Sequence, residues 1–339
     1  MDFALSEEQQ HIIDAVEKVC APFDADYWHA RDEDGEFPEA FYRALADAGW
    51  LGIAMPEEFG GAGLGITEAA LMMHTIAATG AGLSGASAVH MNIFGLHPVV
   101  VYGNQEQKQR MLPPLIAGKD KACFAVTEPN TGLNTLKLKT RAVRDGDHYV
   151  VHGQKVFIST AQEATKILLL ARTKPIEECK GTEGLSLFYT DFDRSKIEVH
   201  EIPKMGRKCV DTNQLFIDGL RIPVEDRIGE ENRGFEYILH GMNPERILIA
   251  CEAIGLGRAA LSRAAKYAGE REVFNRPIGK NQGIQHPLAE RWIELEAAYL
   301  LAMKAAWMYD QHKPCGAEAN AAKFMGAEAG FRACETAIF

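Results

Sequence analysis

Residues 144–160 read RDGDHYVVHGQKVFIST, and this stretch decides how the rest of the chain divides. Asp145-Gly146 is the dipeptide expected at a tight hairpin, and strand-like residues follow it. Working outward, runs at Ala122–Thr127, His148–His152, Lys155–Ser159, Ile167–Ala171 and Leu185–Thr190 are separated by turn signals. Several short strands joined in this way predict a small β-barrel or sandwich over residues 121–230. On both sides the period lengthens to that of a helix. Ser6 and Gln9 have the spacing of a capping box ahead of the stripe Ile12, Ile13, Val16 and Val19. Phe41, Leu45 and Ala48 form a second stripe and Ala69 to Ala78 a third, so residues 1–120 are expected to be all-helical. Beyond residue 231 the alanine-rich segments Arg246–Glu270, Gly283–Gln311 and Glu318–Ile338 predict a helical bundle. The fold class is therefore α+β, with a β domain between two helical ones.

Composition narrows the chemistry. The chain has 339 residues, 47% hydrophobic and 24% charged, with a formal net charge of −11. An acidic surface does not recruit a phosphate backbone, which excludes nucleic acid as the expected partner but leaves room for a local basic pocket. Seven cysteines (Cys20, Cys123, Cys179, Cys209, Cys251, Cys315 and Cys334) lie far apart with no CxxC pair, as in a reduced compartment. Eleven histidines include no HExxH pair, so His90, His97 and His240 are expected to be structural or solvent-facing and no metal site is expected. The N-terminal MDFALSEEQQ is neither a secretory nor a transit signal, and no apolar run is long enough to span a bilayer. A cytoplasmic protein without a membrane span is the expectation.

Two segments of the β region carry candidate chemistry. In Cys123 to Gly132 a strand runs into a turn where Pro129 fixes φ and Gly132 exposes backbone, a shape that can present N–H groups to a ligand or be a plain β-turn. In the hairpin, period two puts Phe157 and Ser159 on one face. An aromatic beside a hydroxyl can cover and hydrogen-bond a flat ring, or be a core Phe beside a satisfied Ser. Gly60, Gly61, Gly63 and Gly65 lack the phosphate-loop pattern and read as a connection.

Together the ordered motifs WLGIAMPEEFGGAGLG, VTEPNTG, VVHGQKVFIS, KMGRKCVDT and EREVFNRPIGKNQGIQ resemble the acyl-CoA dehydrogenase family over essentially the whole chain. The resemblance implies FAD as cofactor, an acyl-CoA substrate, an electron-transfer flavoprotein as partner and a homo-oligomer, usually a dimer of dimers. It implies that Phe124, Val126, Thr127, Gly132 and Leu133 run along the flavin, and that Phe157, Ile158 and Ser159 cover its ring and approach N5. It also implies that Arg271, Phe274 and Gln282 hold the FAD diphosphate and adenosine of a neighbouring subunit. For Arg271, a fork able to bind phosphate oxygens is set against a surface ion pair with Glu270 or Glu272. Two departures stand out: Leu133 where most relatives carry serine, and Phe157 where tryptophan is frequent.

The implied reaction removes a proton from Cα while hydride leaves Cβ, which needs a carboxylate and a polarised thioester carbonyl. Many relatives place that carboxylate near the C-terminus, beyond the position matching Phe339. Others place it on the first long helix of the bundle, and there this chain has Glu245. Met242, Asn243, Arg246 and Leu133 are the implied substrate contacts. The plainer reading is that Asn243 caps a helix, Pro244 opens it and Glu245 complements its dipole. Relative to the family pattern the C-terminal end is expected to be short, lacking the backbone donor for the thioester oxygen and the QxxGG-type adenosine contact. The same fold also serves flavin monooxygenases and oxidases, and a degenerate acyl-CoA-binding paralogue is the non-enzymatic alternative.

Overall fold

The computed structural model describes residues 4–94 and 96–339; Met1 to Phe3 of the expected 1–120 domain, and Gly95, lie outside the described residues. The chain divides into two compact units. One is drawn from Met1–His29, Leu64–Ala86 and Asn243–Phe339, the other from Ala30–Gly63 and Ser87–Met242. In chain order the helices are α1 (Glu7–Cys20), α2 (Ala25–Asp34), α3 (Glu39–Asp47), α4 (Ile66–Ile76), α5 (Gly82–Phe94), α6 (His97–Tyr102), α7 (Gln105–Ile116), α8 (Gly234–Glu270), α9 (Gln282–Asp310) and α10 (Gly316–Ile338). The strands are β1 (Ala122–Ala125), β2 (Arg141–Asp145), β3 (His148–Ser159), β4 (Lys166–Arg172), β5 (Leu185–Asp191), β6 (Ile197–Glu201), β7 (Thr212–Pro223), β8 (Arg227–Ile228), β9 (Glu272–Val273) and β10 (Arg276–Pro277).

In the second unit the sheet has the order β6-β7-β3-β2-β4-β5-β8, with β1 lying parallel to β4. Strand β4 shows why a continuous apolar run was needed. Ile167, Leu169 and Ala171 face one core with Tyr149, Val151 and Phe188. Leu168 and Leu170 face another, with Leu112, Leu115 and Tyr237. A strand covered on both faces has no polar side to alternate. The sequence suggested two short strands at 148–159. The structure has one, and register shifts after Val151 and after Lys155 absorb the interruption. The tight hairpin is real, but Asp145 pairs with His148, so the loop residues are Gly146 and Asp147 with Gly146 at φ 63°.

The helical unit keeps the predicted capping box: Ser6 Oγ accepts from Gln9 N at 3.1 Å and Gln9 Oε1 accepts from Ser6 N at 3.2 Å. Its helices pack through small residues. A Cβ at Gly326 of α10 would come to 3.0 Å from the Ala250 carbonyl of α8, so the alanine-rich composition is what lets these helices close up. Asp310, at the end of α9, caps the start of α4 by accepting from Ile66 N at 2.8 Å and Thr67 N at 2.9 Å. One expectation is corrected. The first bundle helix starts at Gly234, not Arg246, and Pro244 lies inside it. Proline removes a donor and disfavours a helix interior, but buried Tyr237 and Ile238 anchor the preceding turns and outweigh it.

Candidate functional site

On the β unit, two segments distant in sequence are laced together. Beyond β1 the chain folds into a turn closed by Glu128 N to Thr131 O at 3.1 Å and Thr131 N to Glu128 O at 3.0 Å. Strand β3 bulges beside it, and Val156 N donates to Thr127 O at 3.0 Å. At the bulge Phe157 has φ 61° and stays 65% exposed, so it is not the core aromatic that alternation alone allows. A bulky residue held in this region costs roughly 1–3 kcal/mol and persists only when its surroundings over-determine it. Period two does not survive the bulge, but Ser159 remains half-buried beyond it while Ile158 is committed to the core. Asn213 Nδ2 donates to the Ile158 carbonyl at 2.9 Å.

The other residues of this group are arranged around that turn. Phe124 packs half-buried against the second core and Val126 is buried. Thr127 is half-buried, Gly132 is exposed, and the Leu133 side chain is fully exposed. An exposed ring and an exposed leucine with half-buried hydroxyls nearby suit a ligand that is flat, largely apolar and polar at its edge. That is the character of an isoalloxazine ring, so these residues fit a flavin.

Beneath the turn lies a pair that the sequence reading passed over. Lys155 is 0% exposed, and its Nζ donates to Val126 O at 2.9 Å, Leu170 O at 2.8 Å and Glu128 Oε1 at 3.0 Å. Burial pushes the ammonium down to about 8, with Glu128 opposing the shift. Burial alone would raise the Glu128 carboxyl. Lys155, with donors from Lys139 and Thr140, outweighs it and holds the group below the usual carboxylate range. The sequence signal was a lysine on the same parity as buried Val151 and Tyr149.

On the helical unit the candidates fall at two places. Glu245 is half-buried on α8, with Arg246 Nη1 donating to Asn243 Oδ1 at 3.3 Å. Because α8 begins at Gly234, Asn243 does not cap it and Glu245 does not complement its N-terminal dipole, so the plainer reading fails. Met242 packs half-buried against the core of the β unit to which it belongs. Arg271 lies beyond the far end of α8, about 39 Å from Glu245 at 1.5 Å per residue, so the two places do not serve the same reacting atoms. There β9 and β10 form a hairpin whose loop residues, Phe274 at φ 53° and Asn275 at φ 61°, both have positive φ, as in a type I′ turn. Phe274 is 93% exposed. Gln282 opens α9 and is exposed. Among the described residues Arg271 makes no ion pair with Glu270 or Glu272.

The His97 and His240 rings stack at 5.5 Å, and burial pushes His97 down to about 4. No helix is long and apolar enough to cross a membrane among the described residues.

Comparison with known proteins agrees along the whole chain. Family descriptions for acyl-CoA dehydrogenase match three segments: the N-terminal domain at residues 6–119, the middle domain at 123–220 and the C-terminal domain at 232–338. Acyl-CoA dehydrogenase fadE12 of Mycobacterium bovis is 37% identical over 341 residues, covering 99% of this chain and 86% of that protein. Caffeyl-CoA reductase-Etf complex subunit CarC of Acetobacterium woodii is 32% identical, covering 99% and 84%. The structure of butyryl-CoA dehydrogenase from Megasphaera elsdenii superposes with a TM-score of 0.94 at 27% identity, covering 100% of this chain and 88% of that one.

Proposed function

This chain belongs to the acyl-CoA dehydrogenase family, an FAD-dependent oxidoreductase family. From that premise we propose that it oxidises the Cα–Cβ bond of an acyl-CoA thioester to the trans-2-enoyl-CoA. In this reading Glu245 takes the proton from Cα while Met242, Asn243, Arg246 and Leu133 contact the substrate. Phe157 covers the flavin, Thr127 and Ser159 offer hydroxyls to its edge, and Phe124, Val126, Ile158, Gly132 and Leu133 shape the turn beside it. When bound, FAD supplies the acceptor for the hydride leaving Cβ. The observation that carries the proposal is Phe157, an aromatic ring kept exposed at positive φ on a laced bulge. Such strain is retained where a ligand uses it.

Arg271, Phe274 and Gln282 are assigned to the FAD of a neighbouring copy, which makes the active form at least a dimer. Their separation from Glu245 along α8 supports a different ligand end there. Electrons pass onward to an electron-transfer flavoprotein, a partner supported by the likeness to CarC. The division of labour follows residues 1–120, 121–230 and 231–339, in a cytoplasmic setting.

The test is anaerobic reduction of the bound flavin by a panel of acyl-CoAs, followed at its visible absorption band. Glu245→Gln keeps the size of the side chain but cannot accept the proton. It should slow reduction about 10²–10⁴-fold with FAD affinity unchanged. Reduction at the unaltered rate would place the base elsewhere.

A further inference from the structure

We infer that Lys155 is a positioning residue, whose buried ammonium sets the geometry of Thr127 and Phe157 at the flavin-contacting turn. The inference rests on the reading that FAD lies against this turn. An ammonium has three donors, and here each has its own acceptor on a different part of the chain. Val126 O belongs to the exit of β1, Glu128 Oε1 to the turn and Leu170 O to β4. Thr127 is thereby held on both sides: the carbonyl before it by Lys155, and the carboxylate after it by Lys155, Lys139 N and Thr140 N. Its own carbonyl accepts from Val156 N at 3.0 Å, one residue beyond Lys155. The next residue is Phe157 at φ 61°. One side chain therefore fixes the hydroxyl-bearing residue and, through the adjoining backbone, the strained aromatic.

A purely structural role explains this less well. Taking an ion pair out of water costs about what its attraction returns, so an apolar pair of the same volume would stabilise the fold as much. An apolar side chain cannot bind two carbonyls and a carboxylate at once. What the pair contributes beyond stability is direction, and the residues whose direction it sets are those facing the cofactor.

The experiment compares the unaltered full-length protein with Lys155→Met and with the double variant Lys155→Met/Glu128→Gln. The double variant leaves no charge unpaired. The readouts are the thermal midpoint of the FAD-free protein, the FAD dissociation constant from flavin fluorescence, and the shape of the bound-flavin absorption band. The expected result is a double variant whose FAD-free midpoint recovers most of what Lys155→Met loses, the remainder being the donor that Val126 O and Leu170 O no longer have. Its FAD affinity should stay about tenfold or more weaker, with a band moved toward that of free FAD. Unaltered affinity and band in either folded variant overturns the inference, as does a double variant that recovers midpoint and affinity together. If neither variant folds, the pair is a folding element and the inference fails. If the unaltered protein binds no FAD, the underlying reading fails first, and that is seen before any variant is made.

Discussion

Two exposed phenylalanines at positive φ, one in each unit, reach the same unfavourable backbone by different routes. Phe157 sits at a bulge in β3, and the two residues before it bond to segments far away in sequence: Val156 to the 126–128 turn, and Lys155 to that turn and β4. Phe274 sits at the tip of a two-residue hairpin, closed by its own neighbours Glu272–Val273 and Arg276–Pro277. Arg276 Nη2 donates to Asn281 Oδ1 at 2.6 Å, and Asn281 Nδ2 to Ile278 O at 3.0 Å, all within ten residues of the tip. Strain at Phe157 is therefore a property of the tertiary fold, while strain at Phe274 is local. A ring that must present a fixed face needs the first kind of support; a ring that reaches out from a loop can use the second.

Removing the support should separate the two cases. Lys155→Met leaves the buried Glu128 carboxylate uncompensated and should cost about 3–5 kcal/mol in denaturant unfolding. A loss within the scatter of surface substitutions would mean that Phe157 is not held as described. The same pair leaves an acid signature. The folded-state pKa of Glu128 lies below its ordinary 4.5, so its contribution is present above that pH and is lost as pH falls through and below it. The double variant Lys155→Met/Glu128→Gln should unfold with a shallower dependence on pH in that window.

At the hairpin the expected effects are smaller. Asn281→Ala removes two local hydrogen bonds on a half-exposed residue and should cost about 0.5–1.5 kcal/mol. Phe274→Gly should change the sign. Glycine accepts positive φ freely, so the FAD-free protein should gain about 0.5 kcal/mol by differential scanning, after glycine's entropic cost is set against the relieved strain. FAD affinity should fall if Phe274 serves a neighbour's cofactor. A destabilised FAD-free Phe274→Gly variant would show that the ring is held by more than its hairpin.

Much of this was legible in one dimension. Ser6 with Gln9 announced the first helix because a capping box is closed within one turn. The β4 run announced a strand, and five motifs in order announced the family. What failed to show were features whose causes are remote. The passage of α8 through Pro244 depends on the burial of Tyr237 and Ile238, which no local rule weighs against proline. The loss of alternation at Phe157 depends on a register shift against β7. Lys155 looked like an ordinary strand lysine until three acceptors from other segments closed around it.

The sequence by itself determined the order of helical and β segments, the chemistry-bearing residue types and the family to which they belong. Those follow from periodicity, local capping and motif spacing, all of which act over a few residues. Only the tertiary structure decided which backbone positions are strained, where α8 begins, and which buried charge holds the turn. Those depend on groups that meet through space, and a residue's energy there is set by neighbours that its own segment does not contain.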